Sequence, residues 1–285
     1  MVLDHLKITS LVENSTRRAG LLAEHGLSFW VECDRMRILF DTGQGRVFLS
    51  NAQSLQIAIS SMNALVISHG HYDHAGGLTA ALHAAPNIAV YLHPAALHPK
   101  YSRKQGESQG RLISPPELSN NTISRLTPAL HFSKKPTPLC RGVLLTGEIP
   151  RRNDFEAPSD IFFLDKEGTQ PDPLLDDQAM ILETRRGVVV VVGCAHSGIV
   201  NILQYASELT GASSFYAVMG GFHLGGVSSD RLSKTIDAFR RFNVQRIGLG
   251  HCTGIDAVVA FWNAFPRQCF ICSAGETFSI GENPD

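Results

Sequence analysis

Residues 69–74 read His-Gly-His-Tyr-Asp-His and follow directly on the short apolar run Leu65-Val-Ile-Ser68. A short apolar run of this kind is a buried strand. A chain that leaves a strand through glycine can turn several side chains toward one point. Imidazole nitrogens and carboxylate oxygens are the ligands that zinc and similar divalent ions prefer. Four such side chains are more than one open catalytic site uses, since that site keeps a position free. The spacing suits two adjacent ions, one held by His69 and His71, the other by Asp73 and His74. Asp73 is also a catalytic candidate, because it can accept a hydrogen bond from an attacking water while holding metal.

Later histidines repeat the placement. His196, in Gly193-Cys-Ala-His, follows the apolar run Val188–Val192, and His251 follows Arg246–Leu249. A position just after a strand and beside glycine favours ligation over a surface role, because sites on sheets form in such loops. His223, in Gly220-Gly-Phe-His, is the candidate for substrate binding or proton transfer, with ligation as the second choice. His25 reads as a turn histidine with a structural hydrogen bond. Glu148, Arg151 and Arg152 are either solvated charges or partners for an anionic group. Asp177 is a further carboxylate within reach of the site. Cys269-Phe-Ile-Cys272 has no second pair to complete a four-cysteine zinc site and reads as strand packing.

The first half of the chain reads as strands (27–32, 35–40, 65–68, 88–92) with a helix up to about Ala85. The second half alternates strands (179–183, 188–192, 215–219, 246–249, 270–272) with helices at 197–209, 228–242 and 255–265. Two strand-rich halves, each with helices, suit two packed sheets with helices outside. Residues from about 100 to 138 are polar and Pro-rich with little periodicity. They read as a structureless insertion facing the substrate, or as a surface excursion.

The ordered motifs Glu24-His-Gly-Leu-Ser28, Asp41-Thr-Gly-Gln44, Ser68-His-Gly-His-Tyr-Asp-His-Ala-Gly-Gly77, Gly147-Glu-Ile-Pro-Arg151, Asp176-Asp-Gln178, Gly193-Cys-Ala-His196, Gly220-Gly-Phe-His-Leu224 and His251-Cys-Thr-Gly254 carry a resemblance. The chain resembles the metallo-β-lactamase fold superfamily. More narrowly, it resembles the branch named after 7,8-dihydropterin-6-methyl-4-(β-D-ribofuranosyl)aminobenzene-5′-phosphate synthase. The resemblance implies an α/β fold, an αββα sandwich of the metallo-β-lactamase type, in one domain over residues 1–285. It implies that His196 completes the first metal and His251 the second. It also exposes a departure: where most of the superfamily bridges two ions with an aspartate, this chain has Cys194. Its sulfur is expected near the ions without being an ordinary Zn–S ligand. Occupancy by a single ion is as open as occupancy by two.

The expected activity is hydrolysis of a small ester, lactone or phosphate ester through one or two divalent ions, zinc first, with Mn2+, Fe2+ or Mg2+ as alternatives. If the branch name applies literally, the reaction is instead a pterin transfer with a departing pyrophosphate. A metal-binding sensor with little chemistry is the competing class. The 25 basic and 26 acidic residues balance to −1, which gives no electrostatic reason for a nucleic-acid partner. No apolar run approaches the roughly 20 residues of a membrane helix, and the six cysteines form no disulfide framework. A cytoplasmic protein with a small-molecule substrate, and neither nucleic acid nor membrane as partner, is expected.

Overall fold

The structure, a computed structural model, describes residues 2–281 apart from 117, 119–122, 124, 126, 128 and 158. The first sheet is built from β1 (Leu6–Val12), β2 (Ser28–Cys33), β3 (Met36–Phe40), β4 (Ala64–Val66), β5 (Ala89–Leu92), β8 (Leu130–Phe132) and β17 (Thr277–Ile280). Their spatial order is β17-β1-β2-β3-β4-β5-β8. The second contains β9 (Thr137–Cys140), β10 (Val143–Leu145), β12 (Ala179–Thr184), β13 (Gly187–Val192), β14 (Phe215–Gly221), β15 (Arg246–Gly250) and β16 (Cys269–Ile271), in the order β16-β15-β14-β13-β12-β10-β9.

The valine run of β13 explains how the layers assemble. Successive side chains of a strand point to opposite faces. Val189 and Val191 therefore join the core between the sheets, against Phe29, Val31 and Ile38. Val188, Val190 and Val192 face the outer helices α4 (Ile199–Thr210), α5 (Ser229–Arg241) and α6 (Ile255–Ala264). Both faces are apolar because both are covered. On the other side, α1 (Phe48–Ser54) and α3 (Leu78–Ala84) cover the first sheet through Phe48, Leu78 and Leu82. This is the expected αββα sandwich. Ser228 caps α5 by accepting the Arg231 N–H at 3.2 Å, as its sequence position predicts.

Two features differ from the sequence reading. The strands β1 and β17 were not expected; β17 returns from the C-terminus to pair antiparallel with β1, Ile8 opposite Phe278. The segment from 100 to 138 is not structureless. It supplies β6 (Tyr101–Ser102) and β7 (Arg111–Leu112), which pair with β11 (Phe162–Phe163), and then the edge strands β8 and β9. Its strands are too short to impose an alternating pattern, and they are held by pairing at edges. The part of the insertion at 117, 119–122, 124, 126 and 128 lies outside the described residues.

Candidate metal centre

The strand ends of both sheets meet at one edge. From the first sheet come Asp41, after β3, and residues 68–74, after β4, with Tyr72–Ala75 forming the single-turn helix α2. From the second come Cys194 and His196 after β13, His223 after β14, and His251 after β15. Asp41, Ala195, His223 and His251 all have left-handed backbones (φ 61°, 51°, 50° and 51°). Non-glycine residues in this region are strained and gather at functional sites. Here the turn folds the chain back at the strand end. Gly193 is required for closeness: a Cβ there would lie 2.1 Å from Ser68 Oγ.

His69 Nε2 lies 3.0 Å from His71 Nδ1, and the His196 ring is 4.7 Å and 4.8 Å from those of His69 and His71. Across from them, His74 Nε2 is 3.1 Å from His251 Nε2, and Asp73 Oδ2 is 3.4 Å from the same atom. Cys194 Sγ stands between the groups, 3.1 Å from His74 Nε2. Donor atoms of His69, Cys194 and His196 lie within 4.8 Å of one another, as do those of His74, Cys194 and His251. All six residues expected as ligands are thus at one place. His25 is also there, its Nε2 3.2 Å from Asp73 Oδ2; its structural hydrogen bond is made to the cluster itself.

Hydrogen bonds fix which nitrogens face inward. Asp41 is fully buried and accepts from Ser68 N–H, Ser68 Oγ–H and His74 Nδ1–H, each at 2.7 Å. The Ser68 hydroxyl, its proton committed to Asp41, accepts from His69 Nδ1–H at 2.9 Å. One carboxylate therefore directs the Nε2 lone pairs of both His69 and His74 into the cluster. His251 is set the same way, its Nδ1 donating to Asn14 Oδ1 at 3.0 Å. The sequence reading missed these roles. Asp41 was visible only as a strand-end motif, and nothing near Asn14 signals its partner.

Electrostatics agree with a cation site. Burial, with neighbouring imidazoles adding to it, holds His69 and His196 well below the usual histidine range, and burial takes His71 down to about 3. These rings are neutral, with lone pairs available. His71 Nε2 and both His196 nitrogens are buried without a hydrogen-bond partner. Burial alone would raise the Asp73 carboxyl, but His74, a hydrogen bond from His25 and the adjacent His251 ring hold it well below its usual range. Orphaned neutral imidazoles packed around an anion and a sulfur fit a divalent ion, which would satisfy them together.

The cluster floors a cavity of about 200 Å3 whose walls include Tyr72, Ser102, Arg111, Ile113 and Phe162. Three of these come from the 100–138 segment. His223 lines the same cavity, with its ring 4.5 Å from His196. Cys252, named in the sequence only within a motif, also reaches it, and its Sγ shares a donor group with Cys194 and His223. Glu148 and Arg152 turn elsewhere: Glu148 pairs with His93 at 3.0 Å and Arg152 pairs with Glu208. Arg151 contacts the His196 carbonyl at 3.4 Å. Asp177 is buried and accepts the Ser197 N–H at 2.7 Å, one residue beyond His196.

The model of the metallo-β-lactamase superfamily matches residues 23–206. The chain belongs to that superfamily. A solved structure, Tm1679, described as a metal-dependent hydrolase of the β-lactamase superfamily, superposes with a TM-score of 0.81 at 32% identity, covering 97% of this chain and 100% of that one. Among curated proteins, the 7,8-dihydropterin-6-methyl-4-(β-D-ribofuranosyl)-aminobenzene-5′-phosphate synthase of Methanocaldococcus jannaschii is 29% identical over 96% of each chain. At 11% identity, the metallo-β-lactamase fold protein YhfI of Bacillus subtilis (TM-score 0.60, 97% and 99% coverage) shares the fold.

Proposed function

We propose that this chain is a metal-dependent hydrolase of a small anionic ester or phosphate ester. The observation that carries the reading is the Cys194 sulfur, common to two donor groups that draw their histidines from both sheets. His69, His71 and His196 would hold one ion, and Asp73, His74 and His251 a second, with Cys194 as shared donor. This gives the sulfur a larger part than the sequence suggested, because both groups contain it. Burial pushes the Cys194 thiol up, and a bound cation reverses that preference by favouring thiolate. Zinc fits the mixture of nitrogen, sulfur and one carboxylate oxygen better than magnesium does.

Ions held by these residues would supply Lewis acidity toward an ester or phosphoryl oxygen and would acidify water. The protein's own residues do the rest. Asp41 holds His69 and His74 in one tautomer. Asp73 takes a hydrogen bond from His25 at the mouth of the cavity, so His25 sits where a substrate proton can be exchanged. His223, whose ring lies 4.5 Å from that of His196 and lines the same cavity, is placed to contact the substrate. Phe162 and Ile113 keep bulk water off. Transfer of a pterin with loss of pyrophosphate is the second reading, favoured by the 29% identity to the archaeal synthase. A cytoplasmic location, consistent with the free cysteines, and a small-molecule partner complete the proposal.

The test is cobalt loading. Wild type should take up two ions per chain and show thiolate-to-cobalt charge-transfer absorption in the near ultraviolet. Cys194→Ser should lose the band, and Cys194→Asp should lose it while keeping both ions. A band unchanged in Cys194→Ser rules out the shared thiolate, and no turnover across phosphate monoesters, diesters and lactones rules out the hydrolase.

A further inference from the structure

Behind His223 lies a second cavity, about 380 Å3 in volume, lined by His196, His223, Phe155, Val227, Asp160 and Arg231 among others. His196 and His223 are common to this cavity and to the one over the donor cluster. Their rings, 4.5 Å apart and tilted by 57°, lie where the two cavities adjoin. The first cavity, at about 200 Å3, is small for an organic substrate, since ligand sites run from about 300 to 1,000 Å3. The second provides further room beside it, reached past His196 and His223.

Two polar groups there lack partners. Arg231 Nε and His223 Nδ1 are buried with no hydrogen bond. Arg231 has no carboxylate within ion-pair distance among the described residues. The buried carboxylate on that side, Glu156, is consumed: it accepts from Val200 N–H at 2.9 Å, Asn201 N–H at 2.8 Å and Asn153 Nδ2 at 2.7 Å. Asp230, next to Arg231, pairs with Lys234 at 2.7 Å. Asp160 lines the cavity without bonding the guanidinium. A half-buried guanidinium that lines, together with His223, a space walled by Phe155 and Val227 suits an oxyanion attached to an apolar body. Arginine is the side chain best shaped for such oxyanions.

We propose that this cavity is a second substrate subsite, in which Arg231 and His223 take a terminal oxyanion, phosphate or carboxylate, of the molecule whose reacting bond lies over the donor cluster. This rests on the proposed hydrolase reading and specifies its substrate: an elongated small molecule with an anion at the end remote from the bond that is cut.

The experiment is calorimetric titration of the zinc-loaded full chain with phenylphosphonate and, separately, phenylacetate, each with an apolar ring and one oxyanion. Metal per chain is measured on the same samples. Arg231→Gln should weaken binding of the better probe at least tenfold with metal retained, and Arg231→Lys should recover part of the loss. The stronger of the two probes identifies the oxyanion. Val227→Trp, which fills the cavity without touching charge, should weaken binding as much, and it decides the matter if Arg231→Gln loses metal or fails to fold. Equal affinity in wild type and these variants means the oxyanion binds at the metals alone and overturns the subsite. A wild type that holds no zinc yet binds the probe through Arg231 overturns the hydrolase reading and leaves the subsite standing.

Discussion

Asp41 and Asp177 show how differently two buried carboxylates are used. Asp41 accepts three hydrogen bonds and passes their direction on to His69 and His74. Asp177 has one oxygen on Ser197 N–H, and its Oδ1 is unpartnered. Burial pushes the Asp177 carboxyl up to about 6 in the metal-free chain. A folded-state value above the unfolded one means the folded chain binds that proton more tightly. The stability this provides is full below about pH 4 and is lost as pH rises through about 6. Asp177→Asn keeps an oxygen for Ser197 and has no charge to bury. In the metal-free protein it should therefore stabilise by on the order of 2–3 kcal/mol at pH 8 and by nearly nothing at pH 4. Urea unfolding in chelator at the two pH values measures this, and an equal difference at both rejects it. The sequence identified Asp177 as a nearby carboxylate. It held no trace of the burial that sets its behaviour, because burial depends on what the far sheet places around it.

At the scale of elements, a buried cation joins three loops. Lys100, only 1% exposed, pairs with Asp172 at 2.7 Å and Asp176 at 2.9 Å. Asp176 also accepts the Gly70 N–H at 2.8 Å, inside the His69–His74 loop. The start of the 100–138 insertion is thereby fastened to the His69–His74 turn, and its Ile113 carbonyl accepts the Tyr72 N–H at 2.7 Å. Removing one partner of a buried ion pair leaves the others uncompensated, at a cost of about 3–5 kcal/mol. Lys100→Met should destabilise by that amount, read from urea unfolding. It should also weaken metal binding, read by titration against a competing chelator, because Gly70 loses a fixed acceptor. A loss below about 1 kcal/mol would show that the two aspartates find other partners. Polarity marked residues 100–138 as an insertion, but its pairing with β11 and the lysine it buries follow from partners more than 50 residues away, Phe162 and Asp172.

For the whole molecule, the donors divide between the sheets: residues 69–74 come from the first, and 194, 196 and 251 from the second. A cation held by both sets binds only when the sheets are packed, so it stabilises the folded chain by mass action. At a metal concentration a thousandfold above Kd this amounts to about 4 kcal/mol, or on the order of 10 °C in Tm for a chain of this size. Thermal unfolding with and without a strong chelator tests it; identical curves mean that no ion ties the sheets. Among the described residues no helix is long and apolar enough to cross a membrane. The sequence by itself determined the hexapeptide of ligand-type side chains, the valine strand buried on both faces and the order of strands and helices, since each is written in local spacing. The tertiary structure decided the rest: that Cys194 stands between two donor groups, that Asp41 governs two histidines, and that Arg231 faces a cavity behind His223. The first two relations join distant residues, such as Ser68 and Asp41, 27 positions apart, and His74 and Cys194, 120 apart, and hydrogen-bond direction and burial at such separations exist only once the two sheets have closed on each other.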